Sequence, residues 1–175
     1  MQTKYPTRYI NADIEKVEIP ELKKMIVKIG KREDEKLGLF IHGESGTGKT
    51  YAVYALCKFL ENKCSFKIEN WIDLLNSVKK AIAENGTSDM QEMDKRRRFD
   101  GIYFIDDIGT ENVTPYVIDM MYQLVNYRYN EMLPIVITTN LTKAGFAERY
   151  GDRIMSRLFE MCDVVELTGK DRRLS

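Results

Sequence analysis

Hydrophobic positions along this chain follow two patterns. Short continuous apolar runs are typical of strands buried on both faces, and longer stretches with an apolar residue every three or four positions are typical of helices. Five strands are predicted, at residues 37–42, 64–68, 101–106, 134–139 and 163–167. The predicted helices cover residues 49–61, 71–83, 115–131 and 152–161. The stretch from Asn85 to Asp94 is polar and contains glycine, which we interpret as the nearest feature to a hinge.

The regular alternation of strands and helices predicts an α/β fold. We expect three layers with a five-stranded, mostly parallel sheet that binds ligands at the carboxyl ends of its strands. Trp71 lies on an apolar helical stripe, so it is expected to pack in the core rather than to stack on a base. A length of 175 residues suits one domain, with residues 1–36 as a lead-in segment and helix and residues 37–175 as the core.

Between the first strand and the first helix lies the sequence GESGTGKT, residues 43–50, which matches G-x-x-x-x-G-K-[ST] and which we call the phosphate loop. Its glycines allow a bend in which several N–H groups point at one anion, and the helix dipole adds positive charge. Lys49 would neutralise the β and γ phosphates and Thr50 would bind Mg²⁺, which predicts an ATP-type site rather than a chance glycine-rich turn. The expected nucleotide contacts are Gly43, Glu44, Ser45, Gly46, Thr47, Gly48, Lys49, Thr50 and Tyr51.

The third predicted strand ends in two carboxylates, Asp106 and Asp107, as a Walker B element does. Asp106 is expected to hold Mg²⁺, directly or through water, opposite Thr50. Asp107 is the candidate to polarise the attacking water, since its neighbour is committed to the metal. The alternative is a solvated acidic turn after a strand, which is less favoured beside a phosphate loop.

The fourth strand ends in Asn140, whose amide could donate to a γ-phosphate oxygen and accept from water. Asparagine also favours turns after strands, so both interpretations stay open. Arg153 and Arg157 lie four residues apart on one face of the last helix. A guanidinium could stabilise transition-state charge on a γ phosphate, but spacing alone favours surface salt bridges to Glu148 or Glu160.

Composition limits how the chain could bind nucleic acid or zinc and where it is expected to reside. The chain has 27 Lys and Arg residues and 27 Asp and Glu residues, so its net charge is zero. Binding to nucleic acid would therefore need a local stripe of basic residues. Candidate stripes are residues 79–80 and 95–98, with Phe99 adjacent, although a solvated charged loop is the alternative. Three cysteines without CxxC spacing and a single histidine argue against structural zinc. Because no apolar run is long enough for a membrane span or a leader, we expect a soluble cytoplasmic protein.

Four motifs together resemble the AAA+ helicase loaders of the DnaC and DnaI type, and the related IstB ATPases of insertion-sequence transposition. These are the phosphate loop, FIDDIG at residues 104–109, TTN at residues 138–140 and GDRIMSRL at residues 151–158. Residues 5–9 resemble the lead-in IPxRY motif, and residues 169–173 resemble the closing GxSYR motif, with Arg172 where the family usually has an aromatic residue. The resemblance covers nearly the whole chain.

The resemblance implies a three-layer P-loop NTPase with an AAA+ core. It also implies an Mg²⁺-dependent ATPase that self-associates. Arg157 would act in trans as an arginine finger, with Arg153 as a second candidate, and Arg173 would contact the nucleotide. The strand ending at Asn140 would lie between the phosphate-loop strand and the Asp106 strand. The implied partners are single-stranded DNA and a replicative DNA helicase, and the chain corresponds to the ATPase domain without the N-terminal helicase-binding domain of the loaders.

Other functions remain open at this stage. A transposition helper would use duplex DNA and a transposase, and a non-catalytic adaptor would hold ATP without turning it over. A small-molecule kinase is less favoured because the tandem Asp106–Asp107 and Asn140 suit water as the acceptor. A GTPase is less favoured still because the chain has no Asn-Lys-x-Asp sequence.

Overall fold

The computed structural model describes residues 5–22, 24–25, 37–86, 88–169 and 171. Arg173, the expected closing nucleotide contact, lies outside the described residues. The strands are β1 (Gly38–His42), β2 (Phe66–Asn70), β3 (Ile102–Ile108), β4 (Ile135–Thr139) and β5 (Cys162–Glu166). The helices after the phosphate loop are α1 (Lys49–Leu60), α2 (Trp71–Asn85), α3 (Asp89–Arg97), α4 (Pro115–Asn130), α5 (Lys143–Tyr150) and α6 (Asp152–Met161). Short 3₁₀ helices precede them at Thr7–Tyr9 and Ile14–Lys16, and residues 20–22 and 24–25 are also helical.

The five strands form one sheet in the order β2-β3-β4-β1-β5, and every neighbouring pair is parallel. The α/β class and the parallel sheet predicted from the alternation are therefore confirmed. The strand β4, which leads to Asn140, lies between β1 and β3, as the family resemblance implies. All carboxyl ends consequently meet at one edge, where the loops after β1, β3 and β4 lie side by side.

Alternate residues of the central strands enter two separate cores, one on each face of the sheet. On one face, Phe40 and Ile137 pack with the apolar sides of α2, α3, α4, α5 and α6. On the other face, Ile41 and Val136 pack with α1 and the N-terminal segment. This arrangement gives the three layers that the sequence predicts, and Trp71 is fully buried as expected.

Two helices depart from the sequence-based expectation. The segment interpreted as hinge-like contains α3, which begins at a capping box formed by Ser88 and Gln91 and buries Met93. The hinge prediction is wrong for residues 89–94, because the capping box and the burial of Met93 stabilise a helix in this mostly polar segment. The sequence pattern also missed α5, which is too short for its buried pair, Phe146 and Tyr150, to display a period.

The basic run at residues 95–98 is largely committed to contacts within the fold. Arg96 is buried and contacts Glu92, Glu69 and Ser77. Lys95 pairs with Glu92, whereas Arg97 and Arg98 both pair with Asp94. Of the two candidate DNA-contacting stripes, this one is therefore mostly neutralised by local carboxylates.

Candidate nucleotide-binding site

The phosphate loop leaves the end of β1 and folds tightly before α1 begins. Gly46 and Gly48 have φ angles of +83° and +102°, a region that L side chains rarely adopt. Gly43 is required for a second reason, because a Cβ there would lie 2.1 Å from the carbonyl oxygen of Leu167. The Thr47 hydroxyl donates to the carbonyl of Glu44 at 2.8 Å and closes the bend from inside. The loop therefore has a fixed shape before any ligand binds.

Lys49 begins α1 and is buried at the base of this loop. Its Nζ donates to the carbonyl oxygens of Gly43 and Glu44, both at 2.7 Å. These bonds hold the ammonium inside the loop, where it can attract an incoming anion. The N-terminal end of α1 adds the positive end of the helix dipole at the same place.

Asp106 lies where the ends of β3, β4 and α1 meet. Its Oδ1 accepts from the hydroxyl of Thr138 at 2.6 Å and from the hydroxyl of Thr50 at 3.2 Å. Burial raises the pKa of the Asp106 carboxyl, and the two hydroxyl donors oppose that rise. The nearby Asp107 raises the pKa of Asp106 further. A buried acid with this environment attracts a cation strongly once it is ionised.

Asp107 adopts an unusual backbone conformation, with φ +61°. It lies at an irregularity in the β3–β4 pairing, between Ile105 and Ile108, and its N–H donates to the Thr138 hydroxyl at 2.9 Å. Aspartate tolerates the left-handed region better than most residues, and bulges of this kind redirect side chains at functional sites. The irregularity turns Asp107 toward the cleft while Asp106 stays buried.

Asn140 follows β4 and lies beside the same cleft. Its Oδ1 is buried yet receives no hydrogen bond from any described residue. Buried side-chain oxygens without a donor are uncommon, and one that borders a cleft marks a position for water or a ligand group. We call this oxygen open because no described residue donates to it, and the missing donor favours the functional interpretation of Asn140 over that of a simple turn residue.

These parts surround a cleft of about 390 Å³. Arg8 and Lys16 also line the cleft and were not predicted as site residues, together with Tyr9, whose ring stacks on Tyr54 at 4.7 Å. The lead-in motif at residues 5–9 could have indicated Arg8 and Tyr9, because it carries basic and aromatic side chains, whereas Lys16 lies beyond it. The lining residues are Arg8, Tyr9, Lys16, Ser45, Gly46, Gly48, Lys49, Thr50, Tyr51, Asp107 and Asn140.

The donor set at Asp106 suits a magnesium ion that arrives with a nucleotide. Mg²⁺ prefers hard oxygen ligands, and nucleotide sites usually supply one or two protein groups while phosphates and water supply the rest. The Thr50 hydroxyl and the Asp106 carboxylate provide two such groups 3.2 Å apart. Within the described ranges no cluster of three His, Cys, Asp or Glu side chains could hold a metal alone.

Arg153 and Arg157 do not line this cleft. They lie on α6 against α4, where both guanidinium groups stack on the ring of Tyr122 at 5.7 and 5.4 Å. Spacing alone favoured salt bridges from these arginines to Glu148 or Glu160. All four residues are described by the structure, and neither arginine forms an ion pair with either glutamate. A role of either arginine at this molecule's own cleft therefore has no geometric support.

The environment of Asp106 predicts that Asp106→Asn stabilises the nucleotide-free protein by about 1 kcal/mol. Because the folded state raises the pKa of Asp106, stability from this group is fully present below the unfolded carboxyl pKa and is lost as pH rises through the folded pKa. At neutral pH the ionised side chain is therefore destabilising, and an isosteric amide removes that cost.

Thermal unfolding at pH 7 checks this, with Asp119→Asn as the control on an exposed carboxylate of α4. The control should change stability by less than about 0.5 kcal/mol. We also expect Asp106→Asn to lose most of the extra stabilisation that Mg²⁺ with ATP gives the wild type. A lower unfolding temperature for the nucleotide-free variant would contradict this account of the site.

A parallel sheet with a phosphate loop after β1 and paired carboxylates at the end of β3 defines the P-loop class of nucleotide-binding proteins. Within that class, the chain belongs to the family described as IstB-like ATP binding protein, which matches residues 28–175. The family resemblance inferred from the motifs is thus confirmed.

Curated relatives include the phage-like element PBSX protein XkdC of Bacillus subtilis (strain 168), 28% identical over 142 residues, covering 75% of this chain and 50% of XkdC. The replicative helicase loader DnaC of Escherichia coli (strain K12) is 28% identical over 127 residues, covering 71% of this chain and 51% of DnaC. The chain therefore spans about half the length of the curated relatives it matches.

Solved structures share the fold. A crystal structure of the DnaC helicase loader has a TM-score of 0.76 at 23% identity, covering 93% of this chain and 100% of that chain. The replication initiator DnaA bound to AMPPCP and single-stranded DNA also has a TM-score of 0.76, at 15% identity, covering 96% of this chain and 52% of that chain.

Across the described ranges, no helix combines the length and apolar character needed to cross a membrane.

Proposed function

We propose that this chain is an Mg²⁺-dependent ATPase whose hydrolysis drives the loading or remodelling of a replicative DNA helicase on single-stranded DNA. One observation carries the ATPase part of the proposal. A phosphate loop, the carboxylate of Asp107 and the amide of Asn140 line one cleft at the carboxyl edge of the sheet, and the buried carboxylate of Asp106 bonds Thr50 in its wall. Binding alone would require only the phosphate loop and the carboxylate of Asp106.

In the proposed mechanism each residue has a separate task. The phosphate loop and Lys49 bind the β and γ phosphates, and Lys49 exchanges its two loop carbonyls for phosphate oxygens. Thr50 and Asp106 hold Mg²⁺, which neutralises charge on the phosphates when it is bound. Asp107 polarises the attacking water and Asn140 orients it through its open oxygen.

Transition-state charge on the γ phosphate needs a further cation. We assign this role to Arg157 of a neighbouring subunit, with Arg153 as the second candidate, because neither side chain lines its own subunit's cleft. An arginine supplied in trans makes hydrolysis depend on assembly. Self-association would thereby be linked to the nucleotide state, which is the property that a loading reaction needs.

The partner assignment is supported by the relatives and the charge distribution. DnaC is a replicative helicase loader, and this chain matches half of it, so a helicase is the proposed client. For single-stranded DNA, Lys79 and Lys80 are exposed on α2, whereas Lys95 pairs with Glu92 and Arg96 is buried in the fold. We propose that these exposed lysines contact the DNA backbone.

We also propose that residues 1–36 form a lead-in segment to the ATPase core at residues 37–175. The protein is proposed to act in the cytoplasm.

The family itself supports a second candidate function, that of an ATPase helper in transposition, since its description is IstB-like. Such a protein would bind duplex DNA together with a transposase. A non-catalytic, ATP-gated adaptor is a third candidate, although the open Asn140 oxygen beside Asp107 favours turnover of water.

DNA preference separates the loader from the transposition helper. With ATP and Mg²⁺ present, we expect the protein to bind single-stranded DNA at least about tenfold more tightly than a duplex of the same sequence, because unpaired bases remain accessible to its surface. Fluorescence anisotropy at several salt concentrations measures both affinities, since electrostatic contacts weaken with salt. Lys49→Ala is the control, because it cannot use ATP. A clear preference for duplex DNA would contradict the loader proposal.

A further inference from the structure

Three side chains of α4 surround the guanidinium of Arg157. The Nε–H of Arg157 donates to the Oδ1 of Asn126 at 2.9 Å. The guanidinium carbon lies 5.4 Å from the ring centroid of Tyr122 and 5.7 Å from that of Tyr129. Residues 122, 126 and 129 are separated by four and three positions, so they lie on one face of α4. We refer to them as the arginine clamp.

We propose that the arginine clamp positions Arg157 for the ATP site of the neighbouring subunit, an inference that rests on the proposed function. Arginine side chains are flexible, and holding one in place beforehand reduces the entropy lost when it engages its target. Two rings of α4 lie beside the guanidinium, while Asn126 accepts from its Nε–H. Among the described residues the Nη groups bond only the backbone oxygen of Arg153, at 3.0 Å from Nη1, so the fork remains available to a phosphate.

The chemistry of the clamp distinguishes it from ordinary surface packing. Elsewhere in this chain Arg96, Arg97 and Arg98 are each paired with a carboxylate. Arg157 instead contacts two rings and an amide, and forms no ion pair with any described residue. Rings and amides orient a guanidinium without neutralising it, so its full charge stays available for an anion.

The same geometry favours Arg157 over Arg153. Arg153 stacks on Tyr122 alone, at 5.7 Å, and is more exposed. Arg157 has a second ring and the amide in addition, so its direction is more fully determined. A side chain that must reach a precise position on another subunit needs such support from its neighbours.

The test compares turnover with nucleotide affinity. We expect Asn126→Ala to lower kcat by about 10- to 100-fold while the KM for ATP stays within about twofold, because only the arginine is misdirected. Asn130→Ala, a matched change at the exposed end of the same helix, should leave both unchanged. At position 122, Tyr122→Phe keeps the ring and should retain kcat, whereas Tyr122→Leu should lose it.

Mixing subunits separates positioning in trans from a local effect. Asn126→Ala subunits mixed with Lys49→Ala subunits should regain ATPase activity, since the second variant supplies an intact clamp. Asn126→Ala mixed with Arg157→Ala should not regain activity, because both lack a competent arginine. Recovery in that second mixture would place the Asn126 defect in its own subunit's site and overturn the inference.

Failure of the clamp and failure of the proposed function give different results. If Arg157→Ala itself leaves kcat unchanged, the assignment of Arg157 as a trans-acting arginine is wrong, and the clamp inference fails with it. If Arg157→Ala lowers kcat but Asn126→Ala and Tyr122→Leu do not, only the clamp inference is overturned. Thermal unfolding of each variant shows whether a lowered kcat merely reflects a loss of folded protein.

Discussion

Lys49→Ala is expected to abolish measurable ATP binding at concentrations that saturate the wild type. The side chain is buried at the base of the phosphate loop, where its ammonium is held by the carbonyls of Gly43 and Glu44. Removing one partner of a desolvated charge pair typically costs about 2–5 kcal/mol, which corresponds to a loss of roughly 30-fold to several thousandfold in affinity. Isothermal titration calorimetry with Mg²⁺ and ATP measures the loss directly.

A matched variant of the same cleft separates binding from chemistry. Asp107→Asn should retain ATP affinity within about threefold but lower turnover by 100-fold or more, roughly the range of a lost general base. Asparagine is preferable to alanine here because residue 107 has φ +61°, which asparagine tolerates. Lys63→Ala, at an exposed lysine that follows α1, is the control for charge loss alone.

Two results would contradict this assignment. Intact ATP affinity in Lys49→Ala would mean that the nucleotide binds elsewhere than the phosphate loop. Unchanged turnover in Asp107→Asn, with binding also unchanged, would leave the ATPase without its proposed base and would favour the non-catalytic adaptor. The two variants thus test the binding step and the chemical step independently.

The sequence predicts the sheet well because its determinants are local. An apolar run bounded by turn residues identifies each strand, and the phosphate loop specifies its own backbone through glycines at fixed positions. Errors occur at element ends, where β2 spans Phe66–Asn70 instead of residues 64–68. The capped helix α3 and the short helix α5 were missed because neither carries an extended apolar stripe.

The parts of the candidate site that the sequence did not indicate depend on contacts between distant segments. Thr138 bonds Asp106 and the N–H of Asp107 only because β4 lies beside β3. Arg8 and Lys16 reach the cleft because the N-terminal segment packs against α1. The Thr138 contacts arise from strand order, and the position of Arg8 and Lys16 at the cleft arises from packing of the N-terminal segment, so neither follows from periodicity within one element.

The role of Arg157 on α6 is still harder to predict from sequence, because its proposed target belongs to another molecule. Arg157→Ala is expected to lower the ATPase rate by about 10³-fold or more, in keeping with arginine fingers generally, while leaving ATP affinity nearly unchanged. The reason is that Arg157 lies outside its own subunit's cleft, so its loss leaves the local binding contacts intact.

Mixed assemblies decide whether the arginine acts between subunits. Arg157→Ala subunits bind ATP but lack the arginine, whereas Lys49→Ala subunits have the arginine but bind no ATP, so a mixture should recover activity that neither variant has alone. Arg153→Ala, measured beside Arg157→Ala, determines which guanidinium is used, and we expect the smaller loss at Arg153 because only Arg157 is fixed by Asn126. Absence of recovery at every mixing ratio, with both variants folded and assembled, would restrict the arginine to a structural role, because a cation that acts across an interface must be replaceable from the other side of it.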